Sequence, residues 1–389
     1  MYDACRPFST ISAMNNRREF LKQSVAACAA LIAQPSKAFP HATIIMDTQH
    51  MQLRYRSYTL ELKHVFTLAT SSRTTTPVML VEVELDGVVG YGEASMPPYL
   101  GESHDTARAF FERVNLSTYA NPMAFDDILR DVDAIAPGNH AAKAAIDIAL
   151  HDWLGKKLGF AWHQAWGLEP NKTPVTTFTI GIDPDKHVIR QKVREADIYK
   201  VLKVKLGRDN DKEMIETIRE VTDKPLRADV NQGWKDKSYA LKMIEWLAAR
   251  GVEMIEQPMP KDMRDEHAWL KERSPIPIIG DESVVRLADV RKAWGAYHGI
   301  NIKLMKCTGI HEAYKMIQVA RALEMKVMLG CMTETSCAIS AAVQLSPLVD
   351  YADLDGAALI TNDPFEGACI IDGRMQMPAG NGIGVRPRA

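Results

Sequence analysis

The sequence predicts an α/β protein, a (β/α)8-type barrel preceded by an α+β capping domain. Three observations carry this reading. Lys205, Asp229, Glu256, Asp281 and Lys303 recur at steps of 24, 27, 25 and 22 residues, roughly the length of a strand, a helix and two loops. Each of them closes a short apolar run: Val201–Lys205, Pro225–Asp229, Val252–Glu256, Ile276–Asp281 and Ile300–Lys303. The segment before these repeats lacks the period and reads as strands followed by helices.

Composition sets the outer bounds. A chain of 389 residues, 46% hydrophobic and 25% charged, suits one large domain and a smaller one. A net charge of -2 offers no basic field for nucleic acid. Beyond the N-terminus no apolar run nears the length of a membrane span. The six cysteines include no Cys-x-x-Cys pair, which argues against a structural zinc site. Cys307, Cys331, Cys337 and Cys369 read as packed thiols.

Residues 1–50 read as an export signal and linker. Asn16-Arg17-Arg18-Glu19-Phe20-Leu21-Lys22 has the form of a twin-arginine signal, and an apolar stretch from Ser24 to Ala33 follows. Ser36-Lys37-Ala38 then offers small residues for a signal peptidase. This predicts a periplasmic, exported chain; without export it would be cytoplasmic. Val25-Ala26-Ala27-Cys28 also fits a lipoprotein box, which would tether the mature protein to a membrane through Cys28.

Residues 51–170 form the predicted capping domain. Gln52–Leu62 and Val78–Leu85 alternate, and Asp86-Gly87 turns the chain into Val88–Glu93. Ser71–Thr76 between them reads as a polar loop, and Met96–Glu102 as a second covering loop. Residues 104–165 are predicted helical; Ala141–Leu154 has helical apolar spacing, with Gly155 and Gly159 ending it. His151 reads as a packed helix residue.

Residues 171–366 form the predicted barrel. Its eight strand candidates are Thr176–Ile182, Val201–Leu206, Leu226–Val230, Glu253–Gln257, Ile276–Asp281, Gly299–Leu304, Lys326–Gly330 and Tyr351–Asp355. Amphipathic stretches such as Lys212–Val221 and Ile310–Leu323 separate them. A doubly wound sheet would need fewer strands and a Gly-rich first turn, which this chain lacks. The tail, 367–389, is expected to return to the capping domain.

Barrel chemistry happens at the C-terminal strand ends. Lys205 ends the second strand and Lys303 the sixth, four places apart in a ring of eight and so across its mouth. Asp229, Glu256 and Asp281 line the arc between them. Three adjacent carboxylates repel one another unless a cation sits among them. Hard oxygen ligands suit Mg²⁺, or Mn²⁺ in its place. A dication there stabilises the charge that develops when a proton α to a carboxylate is removed. It also lowers the pKa of a lysine base, and Lys203, on the same strand face as Lys205, is expected to assist. Two lysines on opposite faces of one carbon point to 1,1-proton transfer, which inverts the centre. Asn231 reads as a supporting residue beside the metal strand. Asp353 and Asp355 on the eighth strand face the metal arc and suit a cationic group at the far end of a substrate.

These residues resemble the enolase superfamily, in its muconate-lactonizing subgroup. The matching motifs are Lys203-Val204-Lys205, Asp229-Val230-Asn231, Glu256-Gln257-Pro258, Gly280-Asp281-Glu282-Ser283 and Asn301-Ile302-Lys303-Leu304-Met305-Lys306. The resemblance covers roughly residues 52 to 385. It implies a modified TIM barrel with a capping domain, Lys205 and Lys303 as catalytic bases, and Asp229, Glu256 and Asp281 as Mg²⁺ ligands. Tyr351-Ala352-Asp353-Leu354-Asp355-Gly356 looks like the Asp-x-Asp motif with which dipeptide epimerases bind the substrate α-ammonium. Arg73 matches in position an arginine that meets a glutamate side chain in Ala-Glu epimerases. The resemblance therefore implies epimerisation of a dipeptide, L-Ala-D-Glu or L-Ala-L-Glu from murein peptide. N-acylamino acid racemisation and o-succinylbenzoate synthesis are the alternatives within the subgroup. A non-catalytic exported metal- or peptide-binding protein is the alternative outside it, and two lysines argue against that. The partner is a small molecule, not nucleic acid; a homo-oligomer stays open.

Overall fold

The structure, a computed structural model, describes residues 50–69 and 71–388. The predicted signal around Arg17-Arg18 and the box ending at Cys28 lie outside the described residues.

Alternating residues build the capping lobe. Strands β1 (Gln52–Thr67), β2 (Ser72–Leu85) and β3 (Val88–Ser95) form an antiparallel meander with β2 in the centre. β2 buries Val78, Met79, Leu80, Val81 and Val83, whereas the edge strand β1 stays mostly exposed. Asp86 and Gly87 both take positive φ, as a two-residue hairpin of this hand requires. Ser72 to Thr76 belong to β2 and are not a loop: Phe66 pairs with Arg73 and Thr67 with Ser72. Their polarity misled because an exposed edge ladder needs backbone pairing rather than apolar side chains, and threonine favours extended backbone.

Helices His104–Phe111, Phe125–Ala134 and His140–Leu158 follow. The last is buried from Ala141 through Gly155, so its composition lacks a polar face. Gly155 does not end it. The helix continues to Leu158 and Gly159, with positive φ, caps it. A Cβ on Gly155 would lie 2.5 Å from the Cα of Gly382, so this glycine makes room for the C-terminal tail. There Gly382 donates to the Phe160 carbonyl at 2.8 Å and Ile383 to Asp152 Oδ1 at 3.0 Å.

The barrel strands are β4 (Thr177–Ile180), β5 (Val201–Lys205), β6 (Leu226–Asp229), β7 (Val252–Glu256), β8 (Ile278–Gly280), β9 (Gly299–Lys303), β10 (Lys326–Gly330) and β11 (Tyr351–Asp353). They lie side by side in chain order, each neighbouring pair parallel. β5 and β9, which carry Lys205 and Lys303, stand four places apart. β4 and β11 close the barrel without a backbone ladder; instead the Leu354 N–H donates to Thr176 Oγ1 at 2.9 Å.

Two buried carboxylates of the lobe fasten it to the barrel by capping barrel helices. Glu93, at the end of β3, accepts from the backbone of Thr335 at 2.9 Å and of Ala338 at 3.3 Å, at the start of helix Ser336–Val343. Asp147 accepts from the backbone of Ile310 and His311, at the start of helix Ile310–Ala322. Each satisfies otherwise unpaired N–H groups and complements the helix dipole. No helix of the described residues is long and apolar enough to cross a membrane.

Candidate active site and metal centre

Strand register brings the charged residues together. Lys205 pairs with Asp229 and Asp229 with Glu256 on three consecutive strands. Asp281 follows the last residue of β8. All three carboxylates are buried, and one oxygen of each lies within 4.8 Å of the others. Lys205 Nζ donates to Asp229 Oδ2 at 2.6 Å, and Lys303 Nζ to Asp281 Oδ2 at 2.8 Å. The Lys203 ammonium meets Glu256 at 2.7 Å, Asp353 at 2.8 Å and Asp229 at 3.0 Å.

Neighbouring residues fix these side chains. Asn301 Nδ2 donates to Glu256 Oε1 at 2.8 Å. Lys306 Nζ grips Asp281 through a carboxylate oxygen and its carbonyl, and also bonds the carbonyls of Val284 and Asn301. Gly330 on β10 leaves the space they need: a Cβ there would stand 2.7 Å from Asn301 Oδ1 and 3.1 Å from Lys303 Cε. The Asn231 backbone donates to Asp229 Oδ1 at 3.0 Å, and its side chain reaches Glu282 at 3.3 Å.

Electrostatics fit a divalent cation. Burial, and then Asp229, push the Glu256 carboxyl up to about 7; burial, and then Asp281, do the same to Glu282. Burial also acts to raise Asp229 and Asp281, but Lys203 and Lys205 hold the first well below the usual range, and Lys303 and Lys306 the second. The lysines thus neutralise only part of the arc: the ammonium that meets Glu256 is shared with Asp229 and Asp353, and Glu282 makes no ion pair among the described residues. Asn231 Oδ1 and Glu282 Oε2 are buried without a hydrogen-bond donor among the described residues. An arc of acceptor oxygens with this deficit suits Mg²⁺.

The remaining predicted residues surround the same cavity of about 230 Å³. Asp353 ends β11, but Asp355 lies just beyond it, at the start of the 3-10 turn Gly356–Leu359. Asp353 Oδ1 accepts from Thr177 Oγ1, and Asp355 Oδ2 from the Thr179 backbone at 2.7 Å. Burial works against its charge, but Lys203 holds Asp353 below its ordinary value; burial, then Asp353, push Asp355 up to about 7. Arg73 stacks its guanidinium 5.0 Å from the Phe66 ring centre and donates to Thr76 at 3.2 Å. Its Nη1 is buried with no partner among the described residues. Burial lowers its pKa, which leaves a cation short of an anion at the cavity wall.

Sequence reasoning gave no contact to the loop after β3, yet Tyr99 and Leu100 line the cavity. It also missed Phe66, Thr177 and Thr179, none of which carries a charge to mark it. The expectation that Lys203 acts on Lys205 gains a competitor: its ammonium is engaged by three carboxylates. His151 is packed in its helix, bonded to the Asp147 carbonyl at 2.8 Å.

Comparison with known proteins agrees with this geometry. Residues 51–167 match the mandelate racemase / muconate lactonizing enzyme N-terminal domain, and residues 188–389 the enolase C-terminal domain-like family. The chain is 54% identical over 382 residues to an L-Ala-D/L-Glu epimerase of Bacteroides thetaiotaomicron, covering 96% of this chain and 99% of that one. A dipeptide epimerase of Enterococcus faecalis, solved with Mg and L-Leu-L-Tyr, superposes with a TM-score of 0.81 at 31% identity, over 87% of this chain and 99% of that one. A dipeptide epimerase of Cytophaga hutchinsonii, solved with Mg and D-Ala-L-Val, gives a TM-score of 0.82 at 26% identity, over 87% and 96%. By both domains and by the convergence of its strand-end lysines and carboxylates, the chain belongs to the mandelate racemase / muconate lactonizing enzyme family of the enolase superfamily.

Proposed function

We propose that the protein is a Mg²⁺-dependent dipeptide epimerase that inverts the α-carbon of the C-terminal residue, acting on L-Ala-D-Glu or L-Ala-L-Glu of the kind found in murein peptide. The observation that carries this is the pair of lysines, Lys205 and Lys303, on strands four places apart with a carboxylate arc between them. Asp229, Glu256 and Asp281 would hold the dication, which would supply positive charge against the negative charge developing on the substrate carboxylate and lower the pKa of nearby lysines. Mn²⁺ would serve in the same ligands.

The chain's own residues do the rest. Burial acts to lower the Lys303 pKa, but Asp281 overrides it and holds the ammonium well above its ordinary value, so in this state Lys303 keeps its proton. Epimerisation needs one lysine neutral to take the α-proton and the other charged to return one to the opposite face. The roles exchange when the other epimer is bound, so a single site runs both directions. Asp353 and Asp355 receive the α-ammonium of the first residue, and the unpartnered Arg73 Nη1 receives the side-chain carboxylate of the second.

Incubation of L-Ala-L-Glu with enzyme and Mg²⁺ in D₂O tests this. Deuterium should enter only the glutamate α-position, with L-Ala-D-Glu forming alongside. Absence of exchange across a panel of dipeptides would remove the epimerase reading.

We also propose export, supported by Arg17-Arg18 and the apolar stretch behind it. Exchange of both arginines for lysine should retain the protein in the cytoplasm. An intact native chain found only in the cytoplasm would refute it.

A further inference from the structure

A second cavity, of about 290 Å³, lies beside the active-site cavity and shares three walls with it: Phe66, Thr179 and Leu359. Its other walls include Leu62, Val65, Phe178, Ile198 and Tyr199. Three of the four Lys, His and Glu side chains in its lining are paired, Lys192 Nζ with Asp183 at 3.2 Å and His64 Nε2 with Glu195 at 2.9 Å, while the fourth, Lys63, is exposed to solvent. The space therefore offers little to a charged ligand and suits a hydrocarbon or aromatic group.

Chain connectivity fixes where this cavity stands relative to a bound ammonium. Asp355 is tied to the Thr179 backbone at 2.7 Å, and the turn Gly356–Leu359 begins directly after it. Two of the three shared walls thus bracket Asp355. An ammonium held there is one bond from the α-carbon of the first residue, and that residue's side chain starts one bond further. Of the walls shared by the two cavities, Thr179 and Leu359 are the two tied to Asp355, one by a hydrogen bond and one through the turn. Phe66 completes the wall, braced by the Arg73 guanidinium. Burial, and then the nearby charge of Asp355, raise the Tyr199 phenol pKa, which sets the lining of the second cavity in the field of the same carboxylate.

We propose that Leu359 and Phe66 form a partition that restricts the substrate's first residue to a small side chain, and that the apolar cavity behind it is a dormant subsite for a bulky one. This rests on the dipeptide reading above. The front cavity must already hold the dipeptide backbone and the second side chain, so an isobutyl group on the first residue has space only beyond the partition. Adding or removing a methylene or two in such a pocket shifts specificity by roughly 10–200-fold.

The test is kcat/KM for L-Ala-L-Glu and L-Leu-L-Glu, measured with the wild type, Leu359→Ala and the milder Leu359→Val, each checked for folding by circular dichroism. The wild type should prefer the alanyl peptide. Leu359→Ala should raise the ratio of leucyl to alanyl kcat/KM at least about tenfold, and Leu359→Val should raise it less. Ile198→Trp, in the lining of the second cavity, added to Leu359→Ala should reverse the gain. A ratio that stays flat in a folded, active Leu359 variant would overturn the proposal, as would a wild type that handles both peptides equally. A wild type inactive on every dipeptide would remove the epimerase reading and the partition with it.

Discussion

The two halves of the barrel mouth are built by different means. Along the arc from β5 to β7, backbone ladders hold each charged residue in register with the next, Lys205 with Asp229 and Asp229 with Glu256, and parallel pairing through β8 carries the arc on to Asp281 and Lys303. At the seam between β4 and β11 no ladder exists, and hydroxyl and amide groups of Thr176, Thr177 and Thr179 hold Leu354, Asp353 and Asp355 instead. The arc is therefore rigid to any substitution that preserves the strands. The seam depends on individual side chains. Lys203 bridges the two halves, since its ammonium meets Asp229 and Glu256 on one side and Asp353 on the other. A rigid arc suits proton transfer, which tolerates little misplacement, whereas a side-chain-built seam is where specificity can change without disturbing the chemistry.

The largest effects should come from the arc. Lys205→Ala or Lys303→Ala should reduce epimerisation by about 10²–10⁴-fold or more, followed by NMR of the two epimers. Each single variant should still exchange the α-proton of one epimer, because one base remains. Full epimerisation by either variant would break the two-base assignment. Chelation should silence the wild type and Mg²⁺ restore it. Asp281→Asn should weaken Mg²⁺ binding by about tenfold or more, read by calorimetry, since site charge sets affinity; unchanged turnover in metal-free buffer would refute the metal role.

The same division explains what the sequence revealed. Arc residues recur with the period of the fold and carry charge at the ends of apolar runs, so Lys205, Asp229, Glu256, Asp281 and Lys303 were legible as one set. All eight barrel strands were legible too, because buried parallel strands are continuous apolar runs. Asp353 and Asp355 were visible as charges, but their supports were not. Thr177 and Thr179 look like any strand threonine until β4 meets β11, a contact of residues more than 170 positions apart. Arg73 was legible through resemblance, while its strand was mistaken for a loop because it is polar and exposed. Tyr99, Leu100 and Phe66 carry no signal beyond being apolar or aromatic near turns; only the closure of the lobe over the barrel gives them a role. Gly330 is invisible for the opposite reason, since its contribution is the absence of a side chain beside Lys303 and Asn301.

Intermediate effects belong to the seam and the cap. N-acetyl-Ala-Glu lacks the ammonium that Asp353 and Asp355 await, and losing one partner of a desolvated charge pair costs about 2–5 kcal/mol. It should react at least about tenfold more slowly than Ala-Glu, and Asp355→Asn should erase much of that preference. Equal kcat/KM for the two would favour the acylamino acid reading. Asp355 sits at about 7 in the free protein, and only its ionised form attracts an ammonium. Affinity for Ala-Glu should therefore rise with pH through that value and fall as Asp355 is protonated, with the dependence lost in Asp355→Asn. Arg73→Ala should chiefly reduce discrimination for glutamate at the second position; unaltered preference for Glu over Gln would remove Arg73 from the site.

The smallest effect sharpens the comparison most. Thr177→Val removes one hydroxyl at almost constant volume, and with it the bond to Asp353 Oδ1. Asp353 keeps its contact with Lys203 at 2.8 Å, so the carboxylate stays paired but is free to turn. A hydrogen bond to a charged group contributes about 1.5–3 kcal/mol, and a neutral one about 0.5–1.5 kcal/mol. The partial loss expected here should raise KM for Ala-Glu by about three- to thirtyfold. Thr177 touches none of Asp229, Glu256 or Asp281, so Mg²⁺ affinity should hold and kcat should change less than KM. Thr177→Ser, which restores a hydroxyl, should recover most of the loss. A fall in kcat or in Mg²⁺ affinity larger than the rise in KM would show that the seam and the arc act as one unit through Lys203, and the division between a rigid chemical half and an adjustable recognition half would fail.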